Sequence, residues 1–199
     1  MAKIKKYKIA RRLGAGVYEK TQTQKFLLSE QKRSKARNAR PKRPTDYGVS
    51  LIQKQQVRFA YGVSEKQFRR YVAKAMTTAN PADELFRQIE SRLDNVVFRA
   101  GFANTRAFAR QLVSHGHITL NGKKIDVPSH LLKKGDVITV REGSKNKTVF
   151  LDLSQRLESV KKPAWIDVDA KKVSISVTGE PKNPEPFFNF QAVIEFYSR

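Results

Sequence analysis

Between residues 112 and 127 the hydrophobic period of the chain changes, and that change limits the folds open to it. Upstream, Leu93, Val96, Val97 and Ala100 recur at helical spacing, followed by Phe108 and Leu112 on a second helical stretch. Downstream, Ile118 and Leu120 alternate with polar residues, Asn121-Gly122 follows, and Ile125 and Val127 resume the alternation. Asn-Gly between alternating runs is the strongest short-range hairpin signal, because both turn residues take positive φ. Two short helices feeding a β-hairpin are expected. Gly101 separates the helices, and Asn104 or Thr105 is placed to cap the second.

The flanks read in the same terms. Val49, Leu51, Ile52, Val57 and Phe59 form an imperfect helical stripe, with Lys54 and Arg58 one turn apart beside it. Tyr61-Gly62 ends that helix. Ser64 and Gln67 resemble a capping box for a second, which carries Phe68, Tyr71, Val72 and Ala75. Asn80-Pro81 begins a third, where Asp83 and Glu84 suit the positive helix end and Leu85, Phe86 and Ile89 give the apolar face. Gly135-Asp136 turns the chain into a strand at 137–140. Two more β-like runs, 165–168 and 173–177, flank Asp169–Lys172, and the stretch from Pro181 to Pro186 reads as a loop. No internal repeat is visible.

Charge narrows the partner. Forty Lys and Arg against 18 Asp and Glu leave a net +22. Self-repulsion of that size works against compaction, whereas a polyanion repays it by counterion release. Nucleic acid is the leading partner and an anionic membrane the second. No apolar run approaches the roughly 18 residues of a membrane span. The N-terminus lacks the apolar core of a secretory signal, and its basic residues are mostly Lys rather than the Arg and Ser of a transit peptide, so a cytoplasmic location is expected over an organelle. With no cysteine, disulfides and thiolate metal sites are excluded. Residues 1–45 hold 15 basic and 2 acidic residues, more than half of the excess. Around Lys32-Arg33, Lys35, Arg37, Arg40, Lys42 and Arg43 almost nothing is apolar, so an arm without a core of its own is expected, one that orders on a phosphate backbone.

Arg92, Asn95 and Arg99 share one helical face, and Arg106 and Arg110 lie one turn apart on the next helix. With only Asp94 nearby, these read as two exposed arginine rows whose forks match phosphate oxygens. Gly122 allows close approach of a partner and Lys123-Lys124 add charge. The plainer alternative is a pair of solvated helix faces and an ordinary hairpin. His115, His117 and His130 make a poor metal set, because the nearest carboxylate, Asp126, lies across the turn. No metal and no cofactor are expected.

In order, Arg92-Leu-Asp, Arg99-x-Gly101, Thr105-Arg106, Ala109-Arg110-Gln111-Leu-Val, His115-Gly-His-Ile, Asn121-Gly122, Pro128-Ser129 and Gly135-Asp136 strongly resemble the small RNA-binding domain named after ribosomal protein S4. Upstream, Asp46-Tyr47-Gly48-Val49, Lys54-Gln55, Arg58, Tyr61-Gly62-Val63 and Glu65–Arg69 resemble the ribosomal S4 family itself, as do Lys162–Trp165, Asp167–Asp169 and Val193–Ser198. The resemblance covers residues 46–199 well and the arm weakly. It implies an α+β protein with a basic arm at 1–45, a helical domain from 46–91 plus 159–199, and an α-α-turn-β RNA-binding domain inserted at 92–158. It implies a non-enzymatic component of the small ribosomal subunit that binds the five-prime domain of the ribosomal RNA, nucleates assembly and influences decoding accuracy. Its further partners would be neighbouring small-subunit proteins, S5 among them, and messenger near its entry path.

The RNA-contacting residues this implies are Arg37, Arg40, Lys42 and Arg43 on the arm and Tyr47, Lys54, Arg58, Arg69 and Arg70 on the helical domain. On the inserted domain they are Arg92, Arg99, Thr105, Arg106, Arg110, Gln111, Ser114, His115 and His117, then Asn121, Gly122, Lys123 and Lys124 on the hairpin. Many members carry a cysteine zinc knuckle and a Gly-Gln-His-Gly run, and this chain has neither, which marks it as a zinc-free variant. Pseudouridine synthases share the small domain and an Arg-Leu-Asp context, but only about 60 residues follow the domain here, too few for a catalytic domain. A tyrosyl-tRNA synthetase tail lacks the preceding nucleotide-binding motif. A free RNA-binding stress factor is opposed by the flanks at 46–91 and 160–199.

Overall fold

The computed structural model describes residues 5–35, 45–160, 162–182 and 187–198, and it divides the chain into two compact units. The first takes Met1–Leu85 with Pro184–Arg199, and the second takes Phe86–Asn183.

In the first unit, α1 (Lys6–Leu13), α2 (Gln24–Lys35), α3 (Asp46–Ala60) and α4 (Glu65–Ala75) precede α5 (Pro81–Glu90), which carries the chain into the second unit. The Thr45 side chain caps α3 by accepting from the Gly48 amide, and Ser64 caps α4 by accepting from the Gln67 amide. Between them Gly62 takes φ +61°, so the chain can turn there without Cβ strain. The last helix, α10 (Phe190–Ser198), packs on α3. Its Phe196 ring lies 5.5 Å from Tyr47, and Tyr197 lies 6.2 Å from Phe68. Val57, Phe68, Val72, Ala75 and Val193 are buried. The N-terminal segment is not a coreless arm: Ala10, Leu13, Val17, Tyr18 and Phe26 are buried. The Leu13 carbonyl accepts from Gln56 of α3 at 2.6 Å, and a Cβ at Gly16 would stand 3.0 Å from the Phe187 ring. Apolar burial at helical spacing therefore overrides the surrounding charge in this segment. Residues 36–44, the densest part of the expected arm, lie outside the described residues.

The second unit contains α6 (Leu93–Arg99), α7 (Arg106–Ser114), α8 (Thr148–Leu151) and α9 (Leu153–Ser159) around one sheet. Its strands are β1 (Ile118–Leu120), β2 (Lys123–Ile125), β3 (Val137–Val140), β4 (Ile166–Asp169) and β5 (Ser174–Val177). They run antiparallel in the order β2-β1-β3-β5-β4. Leu93, Val97, Phe102, Leu112 and Val113 from the helical side share one core with Ile118, Ile138, Ile175 and Trp165. Asn121 (φ +49°) and Gly122 (φ +79°) make the expected two-residue turn. Asn121 also spans to the next strand: its Nδ2 donates to Asp136 and its Oδ1 accepts from the Val137 amide, both at 2.9 Å.

The expected boundary at 159 moves. Ile138 of β3 pairs with Ile175 of β5, so β4, β5 and Trp165 belong to the second unit, not to the helical zone. Only the segment from 184 onward returns to the first. The backbone groups of β3 need a partner on their free edge, and β5 supplies it.

Candidate nucleic-acid interface

The arginine rows of α6 and α7 are built from the inside outward. Arg92, the residue before α6, is only 3% exposed, and its guanidinium makes a two-point pair with Asp94 at 2.7 and 3.0 Å. Asp94 is shared: Arg110 of α7 donates to it at 2.7 and 2.8 Å. A second carboxylate, Glu90 at the end of α5, holds Arg99 at 2.7 Å and Asn95 at 2.8 Å. Asn95 passes the chain of bonds on to Arg106, whose Nε donates to its Oδ1 at 2.9 Å while the guanidinium stacks over Phe98. The rows expected to be exposed are therefore a partly buried ionic network. Arg92 in particular is enclosed and cannot meet an outside phosphate in this conformation. Two buried carboxylates draw the arginines together, since a charge stripped of water must find its partner inside. Phe102 is buried and Phe98 and Phe108 are packed on the core, so these rings are not open stacking platforms.

What remains outside is the last turn of α7 and the hairpin. Thr105 is spent as the N-cap of α7, accepting from the Phe108 amide. Gln111, Ser114 and His115 are exposed, as are Asn121, Gly122, Lys123 and Lys124. Ser114 is turned back onto the Arg110 carbonyl. The Lys124 methylenes occupy the space a Cβ at Gly116 would need, so the hairpin and the end of α7 meet at a glycine with φ +66°. Neither Lys123 nor Lys124 has an acidic partner among the described residues, and a Cβ at Gly122 would meet nothing within 4 Å. His117 is half-buried, with Nδ1 2.9 Å from the Ser144 hydroxyl. Burial, then Lys147, His115 and Arg141, lower its pKa, which favours the neutral ring.

In the first unit Lys54, expected to face RNA, is 7% exposed. It bonds Glu65 at 3.0 Å and lies over the Phe196 and Tyr197 rings, so its charge holds α10 in place. Arg58 donates to Gln55 at 2.9 Å and stacks on Phe59. Burial raises the Glu65 pKa, but the hydrogen bonds from Tyr197 and Lys54 and the charge of Arg58 outweigh it and leave it lowered. Tyr47 is exposed apart from its contact with Phe196, and Arg69 and Arg70 are exposed on α4. Arg37, Arg40, Lys42 and Arg43 lie outside the described residues. Exposed Lys5, Lys8 and Arg12 along α1 were missed by the sequence reading. The spacing of Ala10, Leu13 and Val17 could have placed them on the outer face of a packed helix.

Among the described residues no group of three or more His, Cys, Asp or Glu is placed to hold a metal ion. None of the described helices is long and apolar enough to cross a membrane.

A unit whose α-α-hairpin exposes lysines beside a glycine turn, and a helical unit with cationic helices of its own, define a basic, polyanion-binding class of protein. Comparison with known proteins makes this specific. Residues 91–138 match the family described as S4 domain, and residues 2–90 match the Ribosomal protein S4/S9 N-terminal domain. Small ribosomal subunit protein uS4 of Roseiflexus sp. (strain RS-1) is 43% identical over 197 residues, covering 96% of each chain. The uS4 protein of Herpetosiphon aurantiacus is 48% identical over 167 residues, covering 81% of this chain and 79% of its own, and that of Akkermansia muciniphila is 42% identical over 198, covering 96% of each. The chain belongs to the uS4 family of small ribosomal subunit proteins, a family of ribosomal structural proteins and not of enzymes.

Proposed function

We propose that this chain binds the five-prime domain of small-subunit ribosomal RNA on the cytoplasmic ribosome, helps to nucleate assembly of that subunit and influences decoding accuracy near the messenger entry path. Neighbouring small-subunit proteins, S5 among them, are its protein partners in this reading. The observation that carries it is the division of charge in the second unit. Its buried carboxylates, Glu90 and Asp94, are engaged by arginines, while Lys123 and Lys124 stand exposed beside a tight turn with no acidic partner among the described residues. Phosphates fix register, and folded RNA is read through shape, 2′-hydroxyls and exposed bases. A short hairpin beside a helix end suits converging backbones better than a linear strand.

A competition assay at physiological salt tests this. A folded multi-helix junction of small-subunit ribosomal RNA is expected to displace bound RNA at lower concentration than an unstructured strand of equal length and charge. Equal displacement would leave a generic polyanion binder. Co-sedimentation with the small subunit separates a resident component from a free RNA-binding factor.

A further inference from the structure

The first unit holds a half-open cavity of about 390 Å³ beside α1 and α3. That volume falls within the ordinary range of small-ligand sites, about 300–1,000 Å³. Ile9, Leu51, Ile52 and Phe59 supply its apolar lining, and Arg12, Gln55 and Arg58 its polar one. The polar groups differ in what they have left to offer. Arg58 is fixed: its Nε donates to Gln55 Oε1 at 2.9 Å and its guanidinium lies 4.5 Å from the centre of the Phe59 ring. The Gln55 Oε1 is thus engaged by Arg58, and both of its amide hydrogens have no partner among the described residues. Arg12 is exposed and makes no hydrogen bond or ion pair among the described residues. One turn earlier Lys8 is equally exposed, and Lys5 stands at the start of the helix, so three cations lead along α1 to the mouth of the cavity.

We propose that this cavity receives one unstacked nucleotide of the bound RNA, with its base against the apolar lining and the Arg58–Phe59 stack, and its phosphate at Arg12. The inference rests on the RNA-binding reading above and goes further, by assigning the first unit a base-sized site. An apolar side chain from a protein would fill the lining but would leave Arg12 and the Gln55 amide without a purpose. A nucleotide uses all three features, because it joins a flat polar-edged ring to an anionic tail, and rings stack on both aromatic faces and guanidinium planes.

The test uses the full chain, carrying labelled Ile and Leu methyl groups, bound to RNA of the small-subunit five-prime domain. The base is expected to move the Ile9, Leu51 and Ile52 methyl resonances by ring current, while Ile166 and Ile175 in the second unit stay in place. Arg12→Ala is expected to weaken RNA binding about ten-fold and to abolish those shifts, whereas Lys123→Ala weakens binding and leaves them. Tight RNA binding with unmoved Ile9, Leu51 and Ile52 methyls overturns the nucleotide site and leaves the proposed function standing. Absence of RNA binding overturns both. Identical shifts on adding poly-glutamate would reassign the cavity to an acidic peptide and overturn the nucleotide.

Discussion

Replacing Asp94 by Asn is the sharpest probe of the ionic network in the second unit. The change keeps the shape of the side chain and removes the charge that Arg92 and Arg110 share. Side-chain exposure is 3% for Arg92 and 2% for Asp94, so little solvent is at hand to take over. Breaking a buried ion pair from one side costs about 3–5 kcal/mol, a large part of the roughly 5–15 kcal/mol that holds a domain together. With a urea slope of about 2 kcal/mol/M, the midpoint should fall by about 2 M. Trp165, the one tryptophan in the sequence, sits in the same core, and its fluorescence reports the unfolding of this unit. Two controls calibrate the result. Arg110→Ala removes a partner that is 32% exposed and should cost less than Asp94→Asn. Glu142→Gln breaks a pair whose side chains are 48% and 85% exposed, and should move the midpoint by no more than about 0.3 M. If Asp94→Asn moves it no more than Glu142→Gln does, the network is solvated and the two carboxylates do not hold the arginine rows inward.

Tyr197→Phe should destabilise the first unit by about 1 kcal/mol, discounted because the Glu65 side chain is 41% exposed. The lowered Glu65 carboxyl contributes stability above its ordinary pKa of 4.5 that is lost as pH falls through the lower folded value, and the raised Tyr197 phenol contributes stability below pH 10 that is lost as pH rises further; Tyr197→Phe should shrink the alkaline limb in a pH series of thermal melts, leaving the part that Tyr18, also raised by burial, contributes. Gly122→Ala meets no neighbour, so its cost of about 1 kcal/mol should come from the positive φ alone, visible as a fall of a few degrees in Tm. Lys123→Ala with Lys124→Ala should reduce the slope of log affinity against log salt by about 2. Alanine at Arg37, Arg40, Lys42 and Arg43 together should flatten it further, and an unchanged slope would show that those cations stay solvated.

The hairpin was legible because its information is local: Asn121 and Gly122 carry their own backbone preference, and Thr105 and Ser64 carry their caps. The arginine network was not. Asp94 lies two residues from Arg92 in sequence, but its bond to Arg110 and that of Glu90 to Arg99 depend on how α5, α6 and α7 pack, and helical spacing alone made those arginines look solvent-facing. The same limit explains β4 and β5. Their alternation identifies them as strands, but only the unpaired edge of β3 decides which unit receives them. Lys54 misled in another way, since a long cationic stem can thread an aromatic cluster and still find a carboxylate.

One arrangement has a temporal side. The first unit is closed by α10, yet residues 86–183 intervene between its two parts. At about 5–20 residues per second, synthesis takes roughly 5–20 s to cross that interval. The second unit is continuous, so its core can close while α3 and α4 still wait with Phe68 and the Lys54–Glu65 pair uncovered by Phe196 and Tyr197. The hairpin can thus be finished before the helical unit is complete, and the nine-residue α10 acts as the latch that ends this interval.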